Sequence, residues 1–507
     1  MMKILQSRII FLMLCICGFA ALQSADATAQ SAAWLVPSHD AQHTAISGVK
    51  SQPLKSIHWH VPVDLAPPAG EITVHYGSPL VTEANTVIVP VKTGTNSFRV
   101  EARNGATGKQ LWVFKTGYQA PSASFVPGLG PTISGNQLFV PDIAGRVLVR
   151  QNPDQAIGSI THLNFYGAKN YRANPTVYQQ NVQIDTPLTT DAAGNLYFGF
   201  LVLGSTPINL QSGIARIAAD GTGTWVSAAA ASGDSTMTQV AIGCAPAVSA
   251  DGSMVYVAVD DGSAGYLLAL NSATLELVNR VRLTDPSSGL DAWIFDGSSA
   301  TPTVGPDGDV YFGVLENPFP DHNDRGWMLH FNKDLSKTKI PGSFGWDDTA
   351  TIVPASLVSS YHGTSTYLLM TKYNNYARIG TGDGHNRIAI LDPNATESDP
   401  VIPETLVMQE VMTILGVTRD PQFKNFPGAV REWCINTAAV DPFTKSILAN
   451  SEDGKLYRWD LTSNSFSQRI KLSSGIGEAY TPTVIGSDGT VYAINDAILD
   501  AVGAALP

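Results

Sequence analysis

The chain has 507 residues, of which 44% are hydrophobic and 15% charged, and its formal net charge is −12. An acidic chain without a basic cluster cannot neutralise phosphates, so nucleic acid is excluded as an expected partner. The 45 glycines and 31 prolines indicate many tight turns, which favours an all-β protein over a helical one.

The first 29 residues have the pattern of a secretory signal peptide. Lys3 and Arg8 supply a positive start, residues 9–21 are an apolar run, and Ala27-Thr28-Ala29 is a small-residue cleavage site. The run is shorter than the roughly 20 residues that a membrane span needs, and no other segment approaches that length. We therefore expect a signal peptide over 1–29, a mature chain over 30–507 and a secreted or periplasmic location without a membrane span.

Proline-centred strand starts recur along the mature chain at nearly even steps. They lie at Pro79, Pro131, Pro187, Pro246, Pro302 and Pro482, and the first five are 52, 56, 59 and 56 residues apart. Several lead into a glycine turn and a second β-rich run, as at 191–198, 251–257, 307–312 and 488–493. A period of this size, built from short strands, predicts an all-β, eight-bladed β-propeller with four-stranded antiparallel blades, one domain over 30–507.

The strands can be assigned blade by blade. Blade 1 is predicted at 78–83, 86–91, 97–102 and 110–114, blade 4 at 245–249, 254–259, 266–270 and 275–281, and blade 7 at 436–440, 446–450, 455–460 and 465–470. Blade 6 lacks the proline, and its first two strands are assigned to 355–358 and 367–371. The last blade has strands only at 481–485, 490–494 and 498–502, so we expect residues 56–63 to complete it. This closure would remove the open sheet edges of the ring.

One segment carries a sharper pattern. Residues 101–116 (EARNGATGKQLWVFKT) resemble the repeat of the pyrroloquinoline-quinone (PQQ) propeller superfamily, and residues 34–44 with Ile57-His58-Trp59 resemble the start of such proteins. The superfamily includes quinoprotein dehydrogenases and non-catalytic scaffold propellers. The resemblance implies PQQ held against a disulfide of neighbouring cysteines, and Ca²⁺ bound by Glu, Asn and Asp. The mature chain has only Cys244 and Cys434, and we can assign no such Glu, Asn and Asp set, so the cofactor stays open.

The propeller topology brings distant residues to one mouth of the central channel. The connections between blades and the turns between the second and third strands emerge on the same face. Aligning the first strands of six blades puts one residue of each of these blades at one level: Gly77, Asp185, Cys244, Ala300, Asn436 and Tyr480. Alternation along a strand puts His75, Cys434 and Glu478 two residues further out. Because Cys244 and Cys434 belong to blades three apart, two separate buried thiols are favoured over a disulfide or a soft-metal site with His75.

The longest insertions fall on this same face, which is where binding usually sits on a rigid scaffold. They are 316–325 in blade 5, 372–386 in blade 6 and 416–433 before blade 7. The candidate ligand-binding residues are His75, Asp185, Lys372, Tyr373, Asn374, Asn375, Tyr376, Asp383, His385, Arg431, Glu432, Trp433, Glu478 and Tyr480. Structural alternatives stay open: Asp383-Gly384 as a turn, Arg431 and Glu432 as an ion pair, Tyr373 and Tyr376 as packing residues, and 321–324 as a polar loop rather than a Ca²⁺ loop. No metal ligands are predicted.

The mature sequence carries no hydrolase elbow, zinc-protease motif, phosphate loop or paired-cysteine redox motif. We therefore expect a binding or scaffold protein that engages a small molecule, a glycan or a protein at the channel mouth. The alternative is an enzyme with an axial site, either a quinone-dependent dehydrogenase or a carbohydrate-active lyase or hydrolase. In the latter, His75, Tyr480, Glu478 and Arg431 would supply general acid–base groups.

Overall fold

Eight antiparallel sheets follow one another along the chain and close into a ring, which confirms the predicted eight-bladed propeller. The computed structural model describes residues 31–67, 69, 75–121, 129–294, 300–475, 477 and 479–506. The proposed signal peptide and its boundary at residue 29 lie outside these residues and stay predictions. We name the strands of each blade A to D, from the channel to the rim.

The strands of the first four blades are short near the channel and longer in the middle of each sheet. Blade 1 consists of Leu80–Val81, Thr86–Gly94, Ser97–Asn104 and Gln110–Thr116. Blade 2 consists of Thr132–Ser134, Gln137–Pro141, Arg146–Gln151 and Ile160–Asn164. In blades 3 and 4 strand A is split in two by the residues before the proline. Blade 3 has Val182–Ile184 with Thr189–Thr190, then Leu196–Val202, Gly213–Ile217 and Gly223–Ser227. Blade 4 has Gln239–Val240 with Ala247–Val248, then Met254–Asp260, Gly265–Asn271 and Leu277–Arg282.

The last four blades include the two irregular ones. Blade 5 has Thr303–Val304, Val310–Val314 and Trp327–Phe331, and residues 338–342 occupy the strand D position through isolated bridges. Blade 6 has Thr351–Pro354, Tyr367–Tyr373, Arg387–Ser398 and Leu406–Leu415. Blade 7 has Ala439–Asp441, Ser446–Ser451, Lys455–Asp460 and Ser465–Lys471. Blade 8 has Val484–Ile485, Val491–Asn495, Ile498–Gly503 and, as strand D, Ser56–Pro62.

The described helices are short and lie in connections. The α-helices are Ala168–Ala173, Pro175–Asn181 and Ala228–Ser232, and the 3₁₀ turns are Ile143–Gly145, Ala355–Leu357 and Pro421–Phe423. No helix in the described part of the chain has the length and apolarity needed to cross a membrane.

The ring closes where the sequence predicts. Strand D of blade 8 pairs antiparallel with Ile498–Gly503, with Ile57 opposite Val502 and Val61 opposite Leu499. Because the two ends of the propeller thus share one sheet, the first and last blades cannot separate without breaking a full strand ladder.

The predicted start of blade 6 was wrong by four residues. Strand A is Thr351–Pro354, which pairs with Tyr367–Met370, whereas residues 355–357 form a 3₁₀ turn. The β-branched run Thr351-Ile352-Val353 fits an extended strand, and Pro354 ends it by fixing the backbone. The error matters for the site, because it shifts which residues approach the channel mouth.

An inner segment over residues 34–52 follows the ring inside the A strands, and the sequence analysis did not predict it. Its backbone bonds successive blades at the far end of strand A, as in Trp34 with Val81, Leu35 with Ile133, Ala41 with Val248, Gln42 with Val304, Thr44 with Ile352 and Ala45 with Val440. Since the mouth residues precede strand A, this inner segment lies at the opposite end of the channel.

The burial of a strand explains how clearly the sequence predicts it. Val87, Ile88 and Val89 of strand B in blade 1 are all fully buried, because neighbouring blades cover both faces of the sheet. Strand D of blade 7, Ser465–Lys471, instead alternates between exposed and partly buried positions at the rim. The continuous hydrophobic runs of the inner strands are therefore the stronger sequence signal.

Candidate functional site at the channel mouth

The insertions of blades 5, 6 and 7 interlock into one hydrogen-bonded surface, which we call the blade 5–7 wall (residues 316–325, 372–386 and 416–433). Asn323 Nδ2 donates to Asn375 Oδ1 at 2.8 Å, and Arg325 Nη1 donates to the Asn374 carbonyl at 2.8 Å. Asn386 Nδ2 donates to the Val430 carbonyl at 2.8 Å. The wall is thus held in shape before any ligand arrives.

Several predicted ligand contacts lie inside this wall. Tyr373, Asn374 and Trp433 are each at most 3% exposed. The Trp433 backbone N–H donates to Asn374 Oδ1 at 3.2 Å, and the Arg325 guanidinium carbon lies 4.3 Å from the centre of the Tyr373 ring. Burial raises the pKa of Tyr373 to about 12. These three side chains therefore support the wall, as the packing alternative for Tyr373 expects.

Asp383 and His385 form an exposed pair on the blade 6 insertion. His385 Nδ1 lies 2.6 Å from Asp383 Oδ2, and Asp383 Oδ1 accepts hydrogen bonds from the His385 backbone N–H and from Asn375 Nδ2. Gly384 between them has φ of +77°, and a Cβ there would lie 2.6 Å from the Ala429 Cβ. This is the turn that the structural alternative for Asp383-Gly384 describes.

Lys372 is the cation at the centre of the mouth. Its Nζ donates to the Asp347 carbonyl at 2.8 Å and lies 5.2 Å from the centre of the Tyr480 ring, and its backbone N–H donates to Asp348 Oδ2 at 3.1 Å. The amine is buried, and its charge opposes the burial effect that raises the pKa of Asp324 and Glu432. Lys372 therefore offsets part of a larger negative charge.

His75 and Tyr480 meet at the mouth, as the strand alignment predicts. Their ring centres are 4.3 Å apart, and His75 Nε2 lies 3.8 Å from Asp347 Oδ2. Burial lowers the pKa of His75 to about 4, more than the neighbouring Asp347 charge can offset. At neutral pH the imidazole is thus uncharged, and its contact with Asp347 is not an ion pair.

A group of donor atoms from blade 7 lies beside them. Cys434 Sγ donates to Glu452 Oε2 at 3.5 Å, and the Glu432 backbone N–H donates to Glu452 Oε1 at 3.0 Å. Burial, with the repulsion of neighbouring carboxyls, raises the pKa values of both Glu432 and Glu452 above their ordinary range. Two carboxyl groups and a thiol are thus crowded at one point of the mouth.

Arg431 does not pair with its neighbour Glu432, so that alternative was wrong. Arg431 Nη1 lies 3.4 Å from Asp420 Oδ1 and 3.8 Å from Glu452 Oε1. Adjacent side chains in an extended segment point to opposite sides, which separates the two charges.

The mouth also holds carboxylates that sequence reasoning missed. Asp347 and Asp348 precede strand A of blade 6, and the four-residue error in placing that strand hid them. Glu452 lies in the turn between strands B and C of blade 7, which the topology also puts on this face. Asp324 was noted only as part of a polar loop; burial and Glu316 raise its pKa to about 7. The rest of that loop is structural, since His322 stacks on Trp327 and Asn323 bonds Asn375 and Thr381.

Asp185, between the two parts of strand A in blade 3, lies near Asp260 of blade 4 and away from the wall. Both of its carboxylate oxygens are buried without a hydrogen-bond partner in the described structure, and burial, with the nearby Asp260, raises its pKa well above 3.8. The buried Cys244 lies near the carboxyls of Asp185 and Asp260. Burial, with these two carboxyls, raises the pKa of its thiol to about 12. No disulfide joins Cys244 and Cys434. Glu478 lies outside the described residues, so its place at the mouth stays a prediction.

The channel below the mouth is nearly filled. A cavity of about 40 Å³ lies between His75, Gly77, Asn436 and Tyr480 above and Pro37, Ser38 and His43 of the inner segment below. Such a volume holds a few water molecules at most. A ligand bound at the mouth would therefore be stopped by the residues that fill the channel below it.

The described mouth residues do not fit PQQ. The quinone carries three carboxylates, whereas the mouth presents two cationic side chains, Lys372 and Arg431, against five carboxyl groups: Asp324, Asp347, Asp348, Glu432 and Glu452. The thiol of Cys434 beside Glu432 and Glu452 is also a poor partner for Ca²⁺, which takes oxygen ligands. We derive no chemistry through the quinone.

Comparison with solved structures identifies the architecture. A europium-containing methanol dehydrogenase matches with a TM-score of 0.54 and 11% identity over 91% of this chain and 89% of that chain. The chain shares its propeller fold. A quinohemoprotein alcohol dehydrogenase from Pseudomonas putida HK5 matches with a TM-score of 0.52 and 11% identity, over 93% of this chain and 76% of that one. Sqt1 from Saccharomyces cerevisiae matches with a TM-score of 0.51 and 11% identity, over 90% and 100%.

No family model and no curated protein matches the sequence. The resemblance to the PQQ propellers is thus confirmed as a likeness of fold, which two alcohol-oxidising enzymes and Sqt1 share. Fold likeness at this identity does not carry function with it. The function has to be argued from the mouth itself.

Proposed function

We propose that this chain is an exported binding propeller that takes a small, polar, positively charged molecule at its channel mouth. The observation that carries the proposal is the excess of carboxyl groups among the described mouth residues, five against two cations, above a nearly filled channel. Export is supported by the positively charged start and the apolar run at the N-terminus.

The excess of carboxyl groups favours a cation because burial and neighbouring carboxyls raise the pKa values of Asp324 and Glu432, so that their ionised forms lack a fully compensating positive charge. Lys372 and Arg431 already have carboxyl or carbonyl partners in the mouth, through Asp347, Asp420 and Glu452. A further positive charge would stabilise the ionised forms of Asp324 and Glu432, since an opposite charge within about 4–6 Å lowers the pKa of a carboxyl.

The same surface offers contacts that suit a small organic cation. Asp324, Tyr376, Glu432 and Tyr480 are each partly exposed, so their carboxylates and rings remain accessible from the mouth. Aromatic faces attract cations, and a wall fixed by its own hydrogen bonds loses little freedom on binding. A small organic cation therefore suits this surface better than a neutral molecule of the same shape.

Choline and its neutral isostere dimethylbutanol provide a direct test, since they differ in charge but hardly in shape. We expect calorimetry on metal-free protein, in EDTA, to show choline binding at least about tenfold tighter than dimethylbutanol, which corresponds to about 1.4 kcal/mol. Equal affinities, or binding of neither probe, would reject the proposed ligand class.

Replacing Asp324 by asparagine should weaken choline binding about tenfold or more, because it removes one of the accessible charges. The matched control is Asp383→Asn, which changes an exposed carboxylate of the same wall that is already paired with His385. Calorimetry should show a loss for the first variant and none for the second; similar losses in both would mean that the effect is not local to the mouth.

Choline binding should also strengthen between pH 6 and pH 8. The pKa of Asp324 is about 7 because of burial and the Glu316 charge, with Lys372 opposing, so this group gains its negative charge over that interval. Tyr376 and Glu432 face the same carboxyl. Choline keeps its charge throughout, and the increase should shrink in Asp324→Asn. A flat profile in the natural protein would contradict the assignment.

Quinone reconstitution tests the alternative of a dehydrogenase. Because the acidic mouth opposes a tricarboxylate, we expect added PQQ and Ca²⁺ to support no dye reduction with alcohols or sugars as substrates. Substrate-dependent dye reduction would overturn the binding proposal in favour of the enzyme.

A further inference from the structure

The donor atoms of Glu432, Cys434 and Glu452 lie within 4.8 Å of one another at the mouth. They come from two parts of blade 7, the approach to strand A and the turn between strands B and C. We propose that these three side chains bind one zinc-like transition-metal ion. This inference concerns the bare metal ion, and it shares Glu432 and Glu452 with the five carboxyls of the proposed cation site. The two proposals are separated by measuring choline binding in EDTA, where no metal is bound.

The spacing of the donors suits tetrahedral coordination. Zn–S and Zn–O bonds of about 2.3 Å and about 2.1 Å at a tetrahedral angle separate sulfur from oxygen by about 3.6 Å. Cys434 Sγ and Glu452 Oε2 are 3.5 Å apart. A metal could therefore replace the thiol proton between these atoms with little movement of either side chain.

The second observation is that Glu432 points into this group without a partner of its own. Its carboxylate makes no hydrogen bond and no ion pair with the described side chains, while the adjacent Arg431 is directed to Asp420 and Glu452. Tyr376 lies near Glu432 and Cys434: burial is the main cause that raises the pKa of its hydroxyl, and the nearby Glu432, Asp324 and Cys434 add to it. That hydroxyl accepts a hydrogen bond from Asn374 Nδ2 at 3.2 Å. Polar atoms thus converge on one point beside the Cys434 thiol.

The chemical types of the three donor atoms, one sulfur and two carboxylate oxygens, favour particular metal ions. A thiolate is a soft ligand that favours zinc-like ions, whereas Ca²⁺ and Mg²⁺ prefer oxygen ligands throughout. Three protein ligands leave one tetrahedral position open, and Glu432 and Tyr376 are partly exposed on that side. The open position would face the mouth and take a water molecule or a donor atom of a bound molecule.

Cysteine replacement gives a matched pair for the test. Cys434→Ser removes the proposed ligand, and Cys244→Ser changes the other buried thiol, in blade 4. We expect calorimetry on chelator-treated protein to show one Zn²⁺ per chain, at least about 100-fold weaker binding in Cys434→Ser and unchanged binding in Cys244→Ser. Glu452→Gln should also weaken Zn²⁺ binding, by about tenfold or more. This second variant tests the site independently if Cys434→Ser fails to fold.

Cobalt supplies an independent readout. Co²⁺ bound to a thiolate gives a charge-transfer band in the near ultraviolet, which should appear in the natural protein and in Cys244→Ser but not in Cys434→Ser. Failure to bind Zn²⁺ at one equivalent, or equal affinity and equal cobalt spectra in the two cysteine variants, would overturn the site. Neither result would bear on choline binding measured in EDTA.

Discussion

Replacing Trp34 by alanine should lower the free energy of unfolding by about 3–5 kcal/mol, the usual cost of truncating a buried tryptophan. Trp34 is 0% exposed and belongs to the hydrophobic core shared by blades 1, 7 and 8. Its backbone N–H and carbonyl both bond Val81. Its indole N–H has no hydrogen-bond partner in the described structure, so the substitution removes packing rather than a polar contact.

The measurement is urea unfolding of the natural protein, Trp34→Ala and the control Trp225→Ala. Trp225 lies on the outer strand of blade 3 and is only partly buried, so its truncation should cost less than half as much. If Trp34→Ala costs no more than Trp225→Ala, the inner segment contributes little to holding the ring.

Replacing Asp500 by asparagine should stabilise the protein at pH 8 by up to about 4 kcal/mol. Asp500 is 2% exposed on strand C of blade 8, Oδ2 has no hydrogen-bond partner among the described residues, and burial raises the pKa of the carboxyl from 3.8 to about 7. Each pKa unit corresponds to about 1.36 kcal/mol.

The sign follows from where the proton is held. The folded chain keeps the Asp500 proton up to about pH 7, whereas the unfolded chain loses it near pH 4. The natural protein therefore loses stability as pH rises between these values, and the amide variant escapes that loss. Near pH 3.5 the Asp500 carboxyl is largely protonated in both the folded and the unfolded chain. The natural protein and Asp500→Asn should therefore unfold at similar urea concentrations.

Asp441→Asn is the matched control, with the opposite expected sign. Asp441 Oδ2 accepts the Ser51 backbone N–H at 2.9 Å and lies 3.4 Å from Arg458 Nη1. Losing this buried carboxylate should destabilise the protein at pH 8. An Asp500→Asn variant that behaves like Asp441→Asn would show that the Asp500 charge is stabilised in the fold after all.

Local sequence patterns were sufficient to predict the ring of eight blades. Pro79, Pro131, Pro187, Pro246 and Pro302 mark strand starts at a nearly constant period, and each buried middle strand carries a continuous hydrophobic run. Completion of the last blade by Ser56–Pro62 could also be predicted. The last blade lacks one strand at the C-terminal end of the chain, and the β-type run ahead of blade 1 is the strand that can close the ring. These features repeat at fixed spacing, so they can be recognised without knowing the contacts.

The mouth could be predicted only in part. Topology alone brings His75 to Tyr480 and Lys372 towards both, since the residues preceding the A strands and those at the B–C turns share one face. It did not reveal Asp347 and Asp348, because blade 6 lacks its proline and was placed four residues late. Nor did it show that Tyr373, Asn374 and Trp433 are buried in the wall, since that depends on how three insertions pack together.

The sequence by itself therefore determined the number of blades, their order and the face on which the insertions meet. The tertiary structure decided which side chains of those insertions face the channel, that the inner segment lies across its far end, and that Glu432, Cys434 and Glu452 converge. The physical reason is that strand patterns are set by neighbours two residues away, whereas the site is set by irregular loops from separate blades, whose conformations only their mutual packing fixes.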